Sequence, residues 1–353
     1  MSPALTVFGY TLLAFVSTGV VWKGSEWLES SSENLSAYYR LPSLVRGSIV
    51  TAVGSSFPEL ATAVLSTLVH GEFELGVAAI VGSALFNVLM IPALARLWSE
   101  DDLISTRDLI YKEAQFYLIS IAVLLLVFSF AVIYNPVSSE TGGPVLGEIT
   151  RALAMLPLAL YLLYVYLQYQ DTLQYQSGLG DIAPGTLDIS PAREGGLLGI
   201  SLLVILVGVE GLVQAALAFG DVFGTPNFLW GMTVVAAATS IPDAFVSVRS
   251  ARGGDAIASV ANVLGSNVFD LLVCLPAGVL IAGSVVINYS LGVPMMAMLT
   301  VATIVVLLMM RNRMMISKPE AWVLIVVYVA FVLWMSIETF GAIDLISNLP
   351  PAL

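Results

Sequence analysis

Histidine and cysteine each occur once in this sequence, at His70 and Cys274. A single cysteine excludes an intrachain disulfide. The two together exclude a soft-metal centre, which needs three or four such ligands. Cys274 sits in an apolar run and reads as a small core residue. His70, beside "GEFE", reads as a loop residue. Charge is equally scarce: 11% of the 353 residues, against about 25% in an ordinary soluble domain. What charge there is leans negative, with 25 acidic and 13 basic side chains and a net −12. A basic footprint for nucleic acid is therefore absent. So are a glycine-rich phosphate loop and a nucleophile–base pair of the kind an enzyme uses. The opening "MSPALTVFGY" has no basic n-region, so its apolar run is expected to persist as a helix.

What is present is grease. Hydrophobic residues make up 58% of the chain. A bilayer takes about 20 apolar residues per helix, and uncharged runs of that size recur. Apolar runs and their punctuation predict ten spans, at 4–27, 42–69, 75–98, 110–134, 147–169, 195–219, 226–250, 255–281, 284–310 and 319–340. This is an all-α integral membrane protein. Ten helices leave nine loops, and the basic residues crowd the odd ones. Lys23, Arg40 and Arg46 flank loop one; Arg96, Arg107 and Lys112 flank loop three; Arg193 is in loop five. Arg249 and Arg252 mark loop seven, and Arg311, Arg313 and Lys318 mark loop nine, leaving only Arg151 outside. Positive loops stay inside. Odd loops are thus expected to be cytoplasmic, with both termini outside the cell membrane.

The chain also repeats itself. A shift of 184 positions lays Gly208 on Gly24, Glu210 on Glu26, Pro226 on Pro42 and Gly231 on Gly47. The same shift lays Thr239-Ser240 on Ser55-Ser56, Pro242 on Pro58 and Asp243 on Glu59. A shift of 183 then lays Gly265-Ser266 on Gly82-Ser83 and Asp270 on Asn87. Each half holds five spans, an odd number, so the second enters the membrane inverted, as in many secondary transporters. The expected organisation is a first five-helix repeat at 1–169, a cytoplasmic linker at 170–194 and a second repeat at 195–353.

Ten polar side chains mark the matched helices: Ser55, Ser56, Glu59, Ser83, Asn87, Thr239, Ser240, Asp243, Ser266 and Asp270. Serine and threonine in membrane helices often bond only to backbone. A carboxylate in the bilayer costs a few kcal/mol or more and is usually functional. Three of them without a Lys or Arg nearby call for protons or bound cations. Each helix carries its oxygen groups at i, i+4, on one face. Oxygen ligands suit a hard cation: Ca²⁺, or Na⁺ of similar size, better than Mg²⁺. Pro58 and Pro242 break backbone bonding, so carbonyls near Ala52 and Ala236 are expected to join. Glu26 and Glu210 also match, but lack flanking oxygens and read as structural or access-lining. Glu113, Glu320 and Glu338 stand near helix ends, where a solvated position suffices.

"GSSFPE" and "TSIPD", followed by "GSALFN" and "GSNVFD", resemble the two alpha-repeats of the cation/calcium exchanger superfamily, and of its sodium/calcium exchangers above all. The likeness covers helices two, three, seven and eight, and the ten-helix plan more broadly. It implies an antiporter that moves Ca²⁺ outward against inward Na⁺ flow. It implies acidic ligands at Glu59 and Asp243, and hydroxyl or carbonyl ligands at Ala52, Ser55, Ser56, Ser83, Ala236, Thr239, Ser240 and Ser266. Further polar positions fall on Asn87 and Asp270. Many members have Glu where this chain has Asp243; the acids Asp243 and Asp270 resemble the potassium-dependent branch. The "GN..E" pattern of the calcium/proton branch is missing. Alternating access follows, with helices one and six sliding against the rest. Ca²⁺, Na⁺ and the lipid bilayer are the expected partners, K⁺ an optional one; no cofactor and no obligatory protein partner is expected. A cation/proton antiporter and a passive cation channel remain as alternatives.

Overall fold

The computed structural model describes residues 3–38, 52–99, 102–104, 106–107, 109–138, 144–176, 190–341, 343 and 345. Among these, eight helices are long and apolar enough to cross a membrane, and a bent pair, 227–239 with 241–252, makes a ninth span. The second expected span is described only from Ala52. Arg40, Pro42, Arg46 and Gly47 lie outside the described residues, and so does the middle of the expected linker.

Helix α1 (Pro3–Tyr38) and its repeat partner α7 (Pro191–Phe223) lie side by side. Gly211 meets Ser17, Gly24 meets Ile205, and Asn34 donates to Glu194, so the two run antiparallel. A Cβ on Gly24 would stand 2.7 Å from Ile205 Cγ1, and one on Gly208 2.8 Å from Val21 Cγ2. The matched glycines are therefore what lets the two backbones approach. α1 is longer than the 4–27 expected. Its apolar run ends at Trp22, but Ser25, Leu28, Ser31, Ser32 and Ser36 are buried, so packing carries the helix on, and Ser36 Oγ satisfies itself on Ser32 O at 2.6 Å.

The matched second and seventh spans are each interrupted. α2 (Ala52–Ser55) and α3 (Phe57–Leu68) part at Ser56. α8 (Asn227–Trp230), a π-helical stretch (Gly231–Val235) and α9 (Ala236–Thr239) part from α10 (Ile241–Arg252) at Ser240, with a bend of 42°. Pro58 and Pro242 stand in the first turn of the new helix, where a missing N–H does no harm. The third and eighth spans fill the centre. They are α4 (Phe73–Trp98), and α11 (Ala256–Phe269) continued through the π-helical turn Asp270–Cys274 into α12 (Leu275–Ala282). Their apolar windows are 83% and 78% buried, as expected of helices hydrophobic all round. α5 (Ala114–Tyr134), α6 (Arg151–Gln176), α13 (Tyr289–Arg311) and α14 (Lys318–Thr339) pack outside them.

Two expected spans start too early. Residues 146–150 and 284–288 form strands instead of helix. β1 (Leu103–Ile104) pairs with β5 (Met315–Ile316) at one end of the bundle. β2 (Pro136–Val137), β3 (Leu146–Thr150) and β4 (Ser284–Asn288) form an antiparallel sheet at the other. Gly283, at φ 96°, ends α12, and the β-branched run that follows pairs across. The linker is also shorter than 170–194, because α6 runs on to Gln176 and α7 starts at Pro191.

Candidate cation-binding site

The two breaks face the two central helices. Glu59 and Asp243 each stand in the first turn of a helix, where backbone N–H groups favour a negative charge. Both are buried, as are Ser55, Ser56, Ser83, Asn87, Thr239, Ser240, Ser266 and Asp270, none more than 3% exposed. The structure joins them across the repeats. Ser83 Oγ donates to Glu59 Oε1 at 3.2 Å and shares a hydrogen bond with Ser240 Oγ at 2.7 Å. Its counterpart Ser266 donates to Asp243 Oδ1 at 3.4 Å and shares one with Ser55 Oγ at 3.2 Å. Each serine thus holds its own repeat's carboxylate and the other repeat's hydroxyl.

The next pair is not symmetric. Asn87 Nδ2 donates to Asp243 Oδ2 at 3.2 Å. Asp270, its counterpart, is an acid with no amide to offer Glu59, and its Oδ1 accepts from Cys274 Sγ at 3.8 Å. Glu59 Oε2, Asp270 Oδ2, Ser56 Oγ and Asn87 Oδ1 are buried without a hydrogen-bond partner. Unpaired buried oxygen is costly. None of the ion pairs among the described residues reaches these carboxylates.

Ala236 O already accepts from Ser240 N at 3.1 Å, and the single Thr239 hydroxyl proton is shared between it at 3.3 Å and Val235 O at 3.1 Å, so that hydroxyl can stay on Val235 when a cation takes Ala236 O. The carbonyls that lose a donor to proline are one turn back, at Gly54 and Ala238. Ala52 begins α2, and its side chain lies outside the described ones. Among the described residues no three His, Cys, Asp or Glu side chains form a metal cluster by themselves. A cation here needs the hydroxyl, amide and carbonyl oxygens as well.

Asn267 was missed by the sequence reading. It is fully buried, donates to Ala84 O at 3.1 Å and Tyr117 OH at 3.0 Å, and accepts from Asn87 Nδ2 at 3.1 Å. It thereby fixes the amide that holds Asp243. Its repeat counterpart is Ala84, so a search for matched polar residues passes over it. The π-helical turn at Asp270–Cys274 was missed too. Its signal is a change of register: Pro276 falls on Pro92 at a shift of 184, although Asp270 falls on Asn87 at 183. One extra residue after Asp270 gives one π turn, a feature frequent at functional sites.

Other expected roles shift. Glu210 is bound by His70 Nε2 at 3.0 Å and by Gln214 at 2.8 Å, so His70 is a tether between loop and α7. Glu26 pairs with Lys23 at 2.6 Å. Glu320 closes a capping box with Ser317, Glu113 accepts from Tyr164 at 2.8 Å, and Glu338 is buried rather than solvated. Cys274 is buried, as expected.

A buried cluster of oxygen groups from both repeats, set at broken helices, is a candidate cation site. The sodium/calcium exchanger protein family matches residues 9–170 and 195–337. The chain belongs to the sodium/calcium exchanger family. That family is one of multi-pass membrane transporters. The sodium/calcium exchanger MaX1 of Methanosarcina acetivorans is 24% identical over 331 residues, covering 88% of this chain and 93% of that one. The sodium-calcium exchanger NCX_Mj, in a structure soaked with Na⁺ and Sr²⁺, superimposes with a TM-score of 0.62 at 22% identity over 93% of this chain and 98% of that one. The H⁺/Ca²⁺ exchanger CAX superimposes at 0.68 with 15% identity, over 94% and 88%. At these identities the two structures establish that the exchanger shares their fold.

Proposed function

We propose that this exchanger is a secondary antiporter that moves Ca²⁺ out of the cell against inward Na⁺ flow. One observation carries the reading: Glu59, Asp243 and Asp270 are buried among neutral oxygen groups, with Glu59 Oε2 and Asp270 Oδ2 unpartnered. Such a site lacks counter-charge, and bound cations supply it. Ca²⁺ takes six to eight oxygens in irregular geometry. Glu59 and Asp243, with Ser55, Ser56, Ser83, Asn87, Thr239, Ser240, Ser266, Asp270 and the carbonyls around Ala52 and Ala236, would supply them in turn to Ca²⁺ or Na⁺. Either load neutralises the carboxylates and permits the inward–outward switch. An empty, charged site resists it, which enforces exchange. The five-helix repeats, joined through the region around 177–190, carry one half of the site each. The basic loops place the odd loops in the cytoplasm and both termini outside a plasma membrane. No resident cofactor takes part in this scheme.

A second reading rests on the Glu59–Asp270 pair. The unpartnered Oδ2 of a third buried carboxylate, Asp270, leaves room for a further monovalent cation, so transport could also require K⁺. The test is Ca²⁺ uptake into proteoliposomes preloaded with Na⁺ and diluted into Na⁺-free buffer, with and without K⁺. Uptake should need internal Na⁺ and vanish in Glu59→Ala and Asp243→Ala. Uptake driven by a pH gradient alone would replace Na⁺ by H⁺. Uptake with no counter-ion at all would make the protein a channel.

A further inference from the structure

A cavity of about 540 Å³ lies between the first half of α1, the end of α7 and the broken seventh span. Its floor is an aromatic cluster: Phe219 stands 4.9 Å and Phe223 5.4 Å from the Trp230 ring. Two of the three polar groups on its wall are already engaged. Trp230 Nε1 donates to Thr225 Oγ1 at 2.7 Å, and Thr18 Oγ1 to Ala14 O at 2.8 Å. The α1 wall includes Phe15, which is 75% exposed beside exposed Phe8, Leu12 and Val16. In a membrane-spanning chain that face meets lipid, and the cavity is continuous with it.

We propose that this groove is a binding site for one acyl chain of a membrane phospholipid. An apolar cavity stays dry, and its walls lack contacts until an apolar group fills it. Beyond the Thr11 hydroxyl the wall offers nothing for a polar ligand to bond, and hydrocarbon is the solvent at its mouth. The bound tail lies against Ala237, Ala238 and Ile241. These flank Ala236, Thr239 and Ser240 in the chain, so the tail braces the segment that carries the second repeat's oxygen groups from behind. The site does not depend on which ion is exchanged.

The full chain would be reconstituted in phosphatidylcholine vesicles carrying a photoactivatable diazirine at the end of one acyl chain. Adducts would be mapped by mass spectrometry. They should concentrate on Thr11, Ala14 and residues 230–241, above the more exposed sites at Phe15, Leu162 and Leu203. Thr11→Phe fills the groove from α1 and should lower groove adducts about tenfold, as a loss of 1.4 kcal/mol would, while leaving Leu162 and Leu203 labelled. Ala14→Phe is the second filler, for use if the first does not give a monodisperse protein. Labelling in proportion to surface exposure would overturn the proposal. So would groove labelling that either folded filler leaves unchanged.

Discussion

The two repeats place the same residue types at the same breaks, yet they treat their carboxylates differently. In one direction, Asn87 reaches across and donates to Asp243. In the other, Asp270 brings a carboxylate where its counterpart brings an amide, and Glu59 Oε2 and Asp270 Oδ2 are left unpartnered. A fully symmetric site could hold its cations in two equivalent places. This one has a satisfied corner and a needy corner, and the second is where positive charge is most required.

The comparison can be broken hardest by making both corners acidic. Asn87→Asp removes the donor to Asp243 and adds a buried charge, at a cost of about 3–5 kcal/mol. The purified variant should lose most of its thermal stability without Ca²⁺ and regain part of it when Ca²⁺ is added. Asp270→Asn makes both corners amides. It should lower Ca²⁺ uptake about tenfold, one charge–ligand contact being worth roughly 1.4 kcal/mol, and abolish any stimulation by K⁺. Stimulation that survives would remove Asp270 from the monovalent site. Asn267→Ala leaves Asn87 unheld and should cost about 1–3 kcal/mol, read as a lower melting temperature and a weaker apparent Ca²⁺ affinity. Tyr117→Phe removes only the outermost partner and should cost less. The gentlest test deletes Val273, turning the π turn into α-helix with the first repeat's spacing. That variant should fold with a small loss of stability, whereas deleting Leu85 from the regular part of α4 should prevent folding, as judged by size-exclusion profile.

Much of this was legible beforehand, for a physical reason. Lipid forces long apolar runs, and proline and glycine punctuate them, so most helices and both breaks could be read directly. Matched carboxylates in grease stood out because they are expensive. The strands at Leu146–Thr150 and Ser284–Asn288 were hidden because they carry Leu, Ile and Val and run without a break into the apolar helices that follow. The tail of α1 was hidden because its burial uses serine more than leucine. Asn267 was hidden by the method of looking for pairs, since symmetry draws the eye to what the halves share. The unequal corners lie in what they do not share.

Hydrogen bonds between Ser83 and Ser240 and from Asn87 to Asp243 cross between halves, so neither half owns the site. If the halves were separate, identical subunits, every substitution would strike both corners at once. Asparagine at one and aspartate at the other could never coexist. Joining the halves in one polypeptide gives each corner its own inheritance. The covalent link between two similar halves is thus what allowed this site to become polarised.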